Sequence, residues 1–366
     1  MKLLFAIKTV KRSKGGAERV ITEICSGLVK RNHEVTLLTF DPNTGNCLYP
    51  LHASVSTCWM GIGNSGEKAG IYESLKRIAA LRREVSHKNP DVVIAFQHSM
   101  FVLMALALIG KRIPLIASEH IVPAHYSGKP AEFSLMCLAG WLSDRMTVLS
   151  ENIKKTYPSF LKKRIVPLPN PVNIPTIVRE HNVSSTGCIL NVGRLDKQKD
   201  QATLIRAFDE IVKKYPGWKL HIIGQGKLKP QLDKLVNELG VKDDVLMQDC
   251  TDDISSAYLD ADIFAISSLY ESFGLVTAEA MAHGLPVVGF SDCPGTNELI
   301  VDGETGILVD GDDRVKAFAK GIETLILEPK RRRNFGLKGR ERIKQFSPKK
   351  NLDDWELLIN RVLQKK

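Results

Sequence analysis

Two glutamates eight residues apart, Glu271 and Glu279, stand in the string Leu269-Tyr270-Glu271-Ser272-Phe273-Gly274-Leu275-Val276-Thr277-Ala278-Glu279-Ala280-Met281-Ala282-His283-Gly284-Leu285-Pro286-Val287-Val288. Carboxylates accept hydrogen bonds from sugar or ribose hydroxyls, and between them lies a segment suited to phosphate. If a helix begins near Leu275, the backbone N–H groups of Gly274, Leu275 and Val276 are its unpaired first-turn donors and form an anion site behind Phe273. Glu271 then lies in the loop before the helix, placed for a ligand beyond the phosphates. Glu279 falls on the second turn, placed for a ribose-like diol. The pattern Asp260-Ala261-Asp262 has the spacing of a metal-binding Asp-x-Asp, but it leads into an apolar strand, whereas divalent ions need oxygens in an open loop. It reads as structural, and no metal is expected.

The elements that must position this string follow from periodicity and punctuation. Ala261 to Ser267 and Pro286 to Phe290 read as buried strands, with Gly284 and Pro286 closing the helix between them. Towards the N-terminus, strand Leu3 to Ile7 runs into Gly15-Gly16-Ala17-Glu18-Arg19 and an amphipathic helix. This strand, glycine turn and helix put bare backbone at a helix N-terminus and open a Rossmann-like domain. Pro114 to Ser118 reads as a strand ending in Glu119-His120, and ligands of open α/β sheets sit beyond the carboxyl ends of strands, where His120 falls. Four prolines between Ile165 and Pro175 mark a linker. After it, strand Cys188 to Val192 and helix Gln201 to Tyr215 begin a second domain.

Composition bounds the classes. At 366 residues, 43% hydrophobic and 25% charged, the chain has the make-up of a soluble globular protein with two cores. Seven cysteines, an odd number with no Cys-x-x-Cys, form neither a disulfide framework nor a zinc site, which suggests a reducing cytoplasm. The longest apolar segment, Met100 to Gly110, is well short of the roughly 20 residues of a membrane span. A formal charge of +10 calls for a basic surface, an anionic membrane or nucleic acid. Helix-turn-helix, zinc-finger and RNA-recognition signatures are all missing, so nucleic acid is the least supported. The helix from Ile71 to Lys88 has Ile71, Leu75, Ile78 and Val85 as its apolar side and Lys76, Arg77, Arg82, Arg83 and Lys88 on the other. That basic face is either simply solvated or rests on an anionic bilayer, where each cation contributes about 1 kcal/mol.

The 20-residue string, with its Glu-x7-Glu spacing and Glu-Ala-Met-Ala-x-Gly-x-Pro-Val-Val tail, resembles the retaining glycosyltransferases of GT-B type, family 4 (group 1), which act in bacterial surface polysaccharide or lipid-linked glycan synthesis. The resemblance runs along the chain, strongly from Gly193 to Val309. It implies an α/β GT-B fold of two facing Rossmann-like domains with a cleft between them: residues 1–170 for the acceptor, residues 174–345 for the nucleotide-sugar donor, and a C-terminal helix, 346–366, crossing back. In the family motif Gly-Arg-Leu…Lys the two cations bind the donor diphosphate, and Arg194 and Lys199 occupy those positions. A guanidinium fork and an ammonium can neutralise a diphosphate where other enzymes use a metal. Gly15 and Gly16 match the glycines that approach the donor phosphates, and His120 the histidine that contacts the donor sugar. Glu271 is then assigned to the sugar hydroxyls and Glu279 to the ribose. The implied reaction moves a hexose or N-acetylhexosamine from a UDP-linked donor to a hydroxyl of a lipid-linked glycan, with retention and without cofactor or metal, on the inner face of the cytoplasmic membrane. Asp249 stands where the family usually has a glycine in the base-receiving loop, which leaves uridine versus guanosine open. A nucleotide-sugar 2-epimerase of the same fold and a non-catalytic basic surface-binding protein are the alternatives.

Overall fold

A computed structural model describes residues 1–11, 16–43, 47–63, 70–177, 186–251 and 253–364. The chain divides into two compact units, Met1–Pro171 with Pro348–Lys366, and Val172–Ser347.

Unit 1 runs β1 (Lys2–Ile7), α1 (Gly16–Val29), β2 (Glu34–Thr39), β3 (Ser56–Trp59), α2 (Ile71–Lys88), β4 (Val92–Phe96), α3 (His98–Ala107) and β5 (Leu115–Ser118). It continues through α4 (Pro130–Leu142), β6 (Arg145–Val148), α5 (Glu151–Lys155), α6 (Ser159–Lys162) and β7 (Ile165–Pro167). All seven strands are parallel, in the order β3-β2-β1-β4-β5-β6-β7. The central strands β1 and β4 are buried along almost their whole length, as expected of parallel strands covered on both faces.

Unit 2 runs β8 (Gly187–Val192), α7 (Gln201–Lys214), β9 (Trp218–Ile223), α8 (Lys229–Glu238), β10 (Val245–Gln248), α9 (Ile254–Asp260) and β11 (Ile263–Ala265). Then come α10 (Leu275–Ala282), β12 (Val287–Phe290), α11 (Thr296–Leu299), β13 (Gly306–Val309), α12 (Arg314–Leu327) and α13 (Pro329–Ile343). Its six parallel strands are ordered β10-β9-β8-β11-β12-β13. The last helix, α14 (Pro348–Leu363), belongs to unit 1. It packs on α1, its Glu356 meets Arg31 at 2.6 Å, and its Trp355 ring lies 6.2 Å from Phe5 and 6.0 Å from Phe96.

Both sheets are doubly wound, with the order reversing between β1 and β4 in one and between β8 and β11 in the other. Ligands of such sheets bind beyond the strand ends at the reversal. The chain leaving β8 is Gly193-Arg194, and the chain leaving β11 leads to Ser267, Ser268 and Glu271.

Two expectations need correction. Ile165–Pro167, inside the proline-rich run read as a linker, is strand β7, paired with β6 through Met146 and Ile165. On α2 the expected apolar side holds at Val85 but not over its first turns. Ile71 and Leu75 are 85% and 61% exposed, and the residues turned inward are Arg77, Leu81 and Val85. Arg77 is held by its ion pair with Glu73 and lies 4.7 Å over the Phe40 ring, so its long stem and planar head pack as an apolar body.

Candidate functional site

In unit 2 the site is a set of loops pinned to one another at the β8/β11 reversal. A Cβ on Gly224 or Gly226 would drive into the carbonyl oxygens of Gly193 and Leu195, so only glycine lets the turn after β9 lie against the turn after β8. The β8 turn is further tied by Leu195 N–H donating to Gln225 O at 2.9 Å and Gln201 Nε2 donating to the Arg194 carbonyl at 3.0 Å. From it Arg194 extends to solvent, its side chain 65% exposed, bonded to Gln198 Oε1 at 3.0 Å and near Asp196 at 3.2 Å.

Lys199 does the opposite. Its side chain folds back along Gly193 into the unit and is buried, and its Nζ meets Glu271 Oε1 at 2.5 Å. Ser268 Oγ donates to the same oxygen at 2.6 Å, and Ser267 Oγ donates to the Lys199 carbonyl at 2.8 Å. The Glu271 loop is fixed from the other side, where its N–H donates to Pro294 O at 2.9 Å. Gly295, at φ 78°, comes so close that a Cβ there would stand 2.7 Å from the Glu271 carbonyl oxygen. Among the described residues no donor reaches Glu271 Oε2, so that oxygen is the one left for a ligand.

Helix α10 starts at Leu275 behind Gly274, whose φ of 82° is the left-handed turn that aims the first N–H groups off the strand ends. Phe273 is buried edge-on against Phe346 at 5.3 Å and so anchors the approach to that turn. Glu279 is buried one turn later and accepts the Tyr258 hydroxyl at 3.0 Å. His283, bonded through Nδ1 to the Glu279 carbonyl at 2.7 Å and through Nε2 to Ser255 at 2.8 Å, closes the helix. Burial holds its pKa down. The loop cluster therefore offers helix N–H donors, one exposed guanidinium, a buried ammonium–carboxylate pair and a second carboxylate, a set suited to a phosphorylated sugar.

In unit 1, His120 follows the end of β5. Its ring stacks on Phe96 at 4.7 Å, and burial pushes its pKa down to about 3. Thr147 donates to Ser118 Oγ at 2.8 Å, and Ser118 Oγ lies 3.1 Å from His120 Nε2. Burial keeps the ring neutral, so one nitrogen carries hydrogen and the other accepts, and Ser118 Oγ can serve Nε2 in either role. Glu119 is buried, its Oε1 accepting two backbone N–H groups and its Oε2 the Tyr126 hydroxyl at 2.9 Å. His98, the first residue of α3, two positions past β4 and thus near the reversal of this sheet, places Nδ1 3.7 Å from Glu119 Oε2. The residue before it, Gln97, takes a positive φ of 65°, a strained turn of the kind that collects at working sites.

The family profile for glycosyl transferases group 1 matches residues 174–342, and that for glycosyltransferase family 4 matches residues 14–175. The chain belongs to the family 4, group 1 glycosyltransferases. This glycosyltransferase is 28% identical over 365 residues to the GalNAc-α-(1→4)-GalNAc-α-(1→3)-diNAcBac-PP-undecaprenol α-1,4-N-acetyl-D-galactosaminyltransferase of Campylobacter jejuni, covering 99% of each chain. Its fold is that of a sucrose-phosphate synthase from Thermosynechococcus elongatus, at a TM-score of 0.85, 19% identity and 100% of each chain. It is also that of Anabaena HepE, solved in complex with UDP and glucose, at a TM-score of 0.79, 19% identity, 98% of this chain and 99% of that one. The fold is GT-B.

Of the residues singled out in this glycosyltransferase, Arg194, Lys199, Glu271, Phe273, Gly274, Leu275, Val276 and Glu279 lie on the connected loops and helix of unit 2. His120 lies on unit 1. Gly15 falls outside the described residues, and Gly16 is the exposed first residue of α1. Asp262 of the Asp-x-Asp pattern accepts the Cys188 N–H at 3.0 Å. The sequence reading missed Ser268, Tyr258, His98 and Glu119. His98 carried a signal, since it lies two residues past a buried strand. The hydroxyls of Ser268 and Tyr258 have none, because each earns its place by a contact made only in the fold.

Proposed function

We propose that the enzyme transfers a hexose or N-acetylhexosamine from a UDP sugar to a hydroxyl of a lipid-linked glycan, with retention and without a metal. The observation that carries this reading is the buried Lys199–Glu271 pair beside the N-terminus of α10. Arg194, Lys199 and the N–H groups of Gly274 to Val276 are assigned to the diphosphate, whose charge grows as it leaves, so fixed cations and dipoles there stabilise the transition state more than the ground state. Glu279 is assigned to the ribose hydroxyls and Glu271 Oε2 to the sugar. His120 keeps its assignment to the donor sugar, where a neutral imidazole suits a hydroxyl. With Glu271 Oε1 tied to Lys199, the site offers positioning and leaving-group stabilisation rather than a strong base. The undecaprenol-linked acceptor named for the Campylobacter relative supports the lipid-linked class, and the UDP held by HepE supports the donor. An acceptor of this kind is presented at a membrane surface, which suits the basic charge.

The test is an anomeric proton spectrum of the product formed from UDP-N-acetylhexosamine and a short glycan acceptor, with and without EDTA. A retained linkage in both is expected. An inverted linkage or loss of activity with EDTA overturns the reading, and conversion of the donor without any acceptor identifies an epimerase.

A further inference from the structure

Beyond Glu132 and Ser134 in its first turns, helix α4 is apolar on every side from Leu135 to Leu142, yet it lies at the surface of unit 1. Met136, Cys137, Ala139 and Gly140 face inward and account for its packing against α3 and α6. Leu135, Leu138, Trp141 and Leu142 point outward, 45%, 47%, 50% and 39% exposed. At 3.6 residues per turn those four fall within an arc of about 120°, so they form one stripe. A helix with apolar residues on both sides has its second side covered in its working state, since contiguous exposed patches of large apolar side chains mark interaction sites.

The surroundings of the stripe say what covers it. Lys129 precedes the helix and Arg145 follows it, Lys111 and Arg112 are exposed beyond the end of α3, and Lys163 is exposed at the end of α6. Against these five cations stand Glu132 and Asp144 near the helix ends. Ile109, just past α3, and Phe160 on α6 are exposed large apolar side chains as well. Apolar side chains including a tryptophan, with lysine and arginine at the ends of their own helix and of its two packed neighbours, match the interface of an anionic bilayer, where the indole sits at headgroup depth and the cations meet lipid phosphates. A second copy of the chain fits less well. It would bring the same cations against themselves, and four large side chains on one helix fall well short of the roughly 20–30 residues a side of a stable interface.

We propose that α4 is the surface by which unit 1 docks on an anionic membrane, with Leu135, Leu138, Trp141 and Leu142 entering the headgroup layer. The inference rests on the lipid-linked acceptor proposed above. It moves the contact from the basic side of α2, where Arg77 is buried, to an apolar plate on α4.

The test uses the full chain with vesicles of phosphatidylglycerol and phosphatidylcholine and no glycan. Trp218 and Trp355 are buried, so in a Trp59→Phe background the fluorescence change on binding reports Trp141. Binding with a blue-shifted emission quenched by brominated lipid is expected. Leu138→Ser combined with Trp141→Ser should weaken binding at least tenfold with the thermal unfolding midpoint unchanged. Lys111→Gln with Arg112→Gln should weaken binding to the anionic vesicles while leaving residual binding to pure phosphatidylcholine unchanged. Vesicle binding that survives the Leu138/Trp141 change overturns the proposal. So does failure of the native chain to bind while sedimentation shows a dimer that this change dissociates. Transfer to a water-soluble acceptor by the Leu138/Trp141 variant separates the two readings: retained transfer with lost docking touches only the surface, and absent transfer in the native chain touches only the function.

Discussion

Lys199 Nζ and Glu271 Oε1 meet at 2.5 Å across 72 positions of sequence, with both side chains about nine-tenths covered. Removing one member of such a pair leaves an uncompensated buried charge, which costs about 3–5 kcal/mol. Lys199→Ala is therefore expected to lower the stability of unit 2 as well as turnover, the latter by a factor on the order of 10² or more. Adding Glu271→Gln to Lys199→Ala should recover much of the stability and none of the turnover. Urea unfolding and steady-state rates of the three variants check this, and a double variant as active as the native chain removes the pair from the site.

Glu279 gives a separate handle, because its Oε2 is held by Tyr258 at 3.0 Å. A hydrogen bond to a charged group contributes about 1.5–3 kcal/mol, so Glu279→Gln should weaken UDP binding by roughly tenfold to a hundredfold. Tyr258→Phe, which loosens the carboxylate without neutralising it, should weaken binding less. Titration calorimetry with UDP reads both, and equal affinities across native chain and variants take Glu279 away from the nucleotide.

His120 has a pKa near 3, against an ordinary value near 6.5. Because the folded value is depressed, its contribution is fully present above the unfolded pKa and is lost as pH falls from about 6.5 towards 3, where the unfolded chain takes up a proton that the folded chain refuses. Nitrogen-detected spectra should show His120 neutral at pH 5, and His120→Phe should flatten part of the decline in stability over that interval. Titration of His120 near 6.5 contradicts this.

Trp355 stacks on Phe96, which stacks on His120. Its Nε1 is buried with no hydrogen-bond partner among the described residues. Trp355→Ala should cost about 3–5 kcal/mol and also shift the His120 resonances. Trp355→Phe should cost much less, since it keeps ring contact and removes a buried N–H. Comparable losses in the two variants mean that ring packing is not the source.

What was legible beforehand depended on how local its cause is. The start of α10 behind Gly274 follows from a strand, a glycine and an alanine-rich run within one short window, and both glutamates were found there. The two doubly wound sheets follow from alternating buried strands and amphipathic helices. The orientation of α2 was not legible, because Ile71 and Leu75 share a spacing with a real apolar stripe, while Leu81 and Val85 set the burial and Phe40 gives Arg77 a surface to lie on. Strand β7 was hidden by Pro167, which an edge strand tolerates where it need not donate. Lys199 was read on a loop, and nothing near it in sequence shows that Glu271 draws it inward.

Helix α14 sits in unit 1 although it is made only after the whole of unit 2. A polypeptide emerges from the ribosome N-terminus first and domains generally fold as they appear, yet unit 1 cannot cover Phe5 and Phe96 with Trp355 until α14 has followed unit 2 out of the ribosome. Unit 2, continuous from Val172 to Ser347, is complete before that moment. The order of maturation is thus reversed relative to the order of translation, and a chain cut short before Pro348 is born with an open sheet face that chaperones or proteases can read.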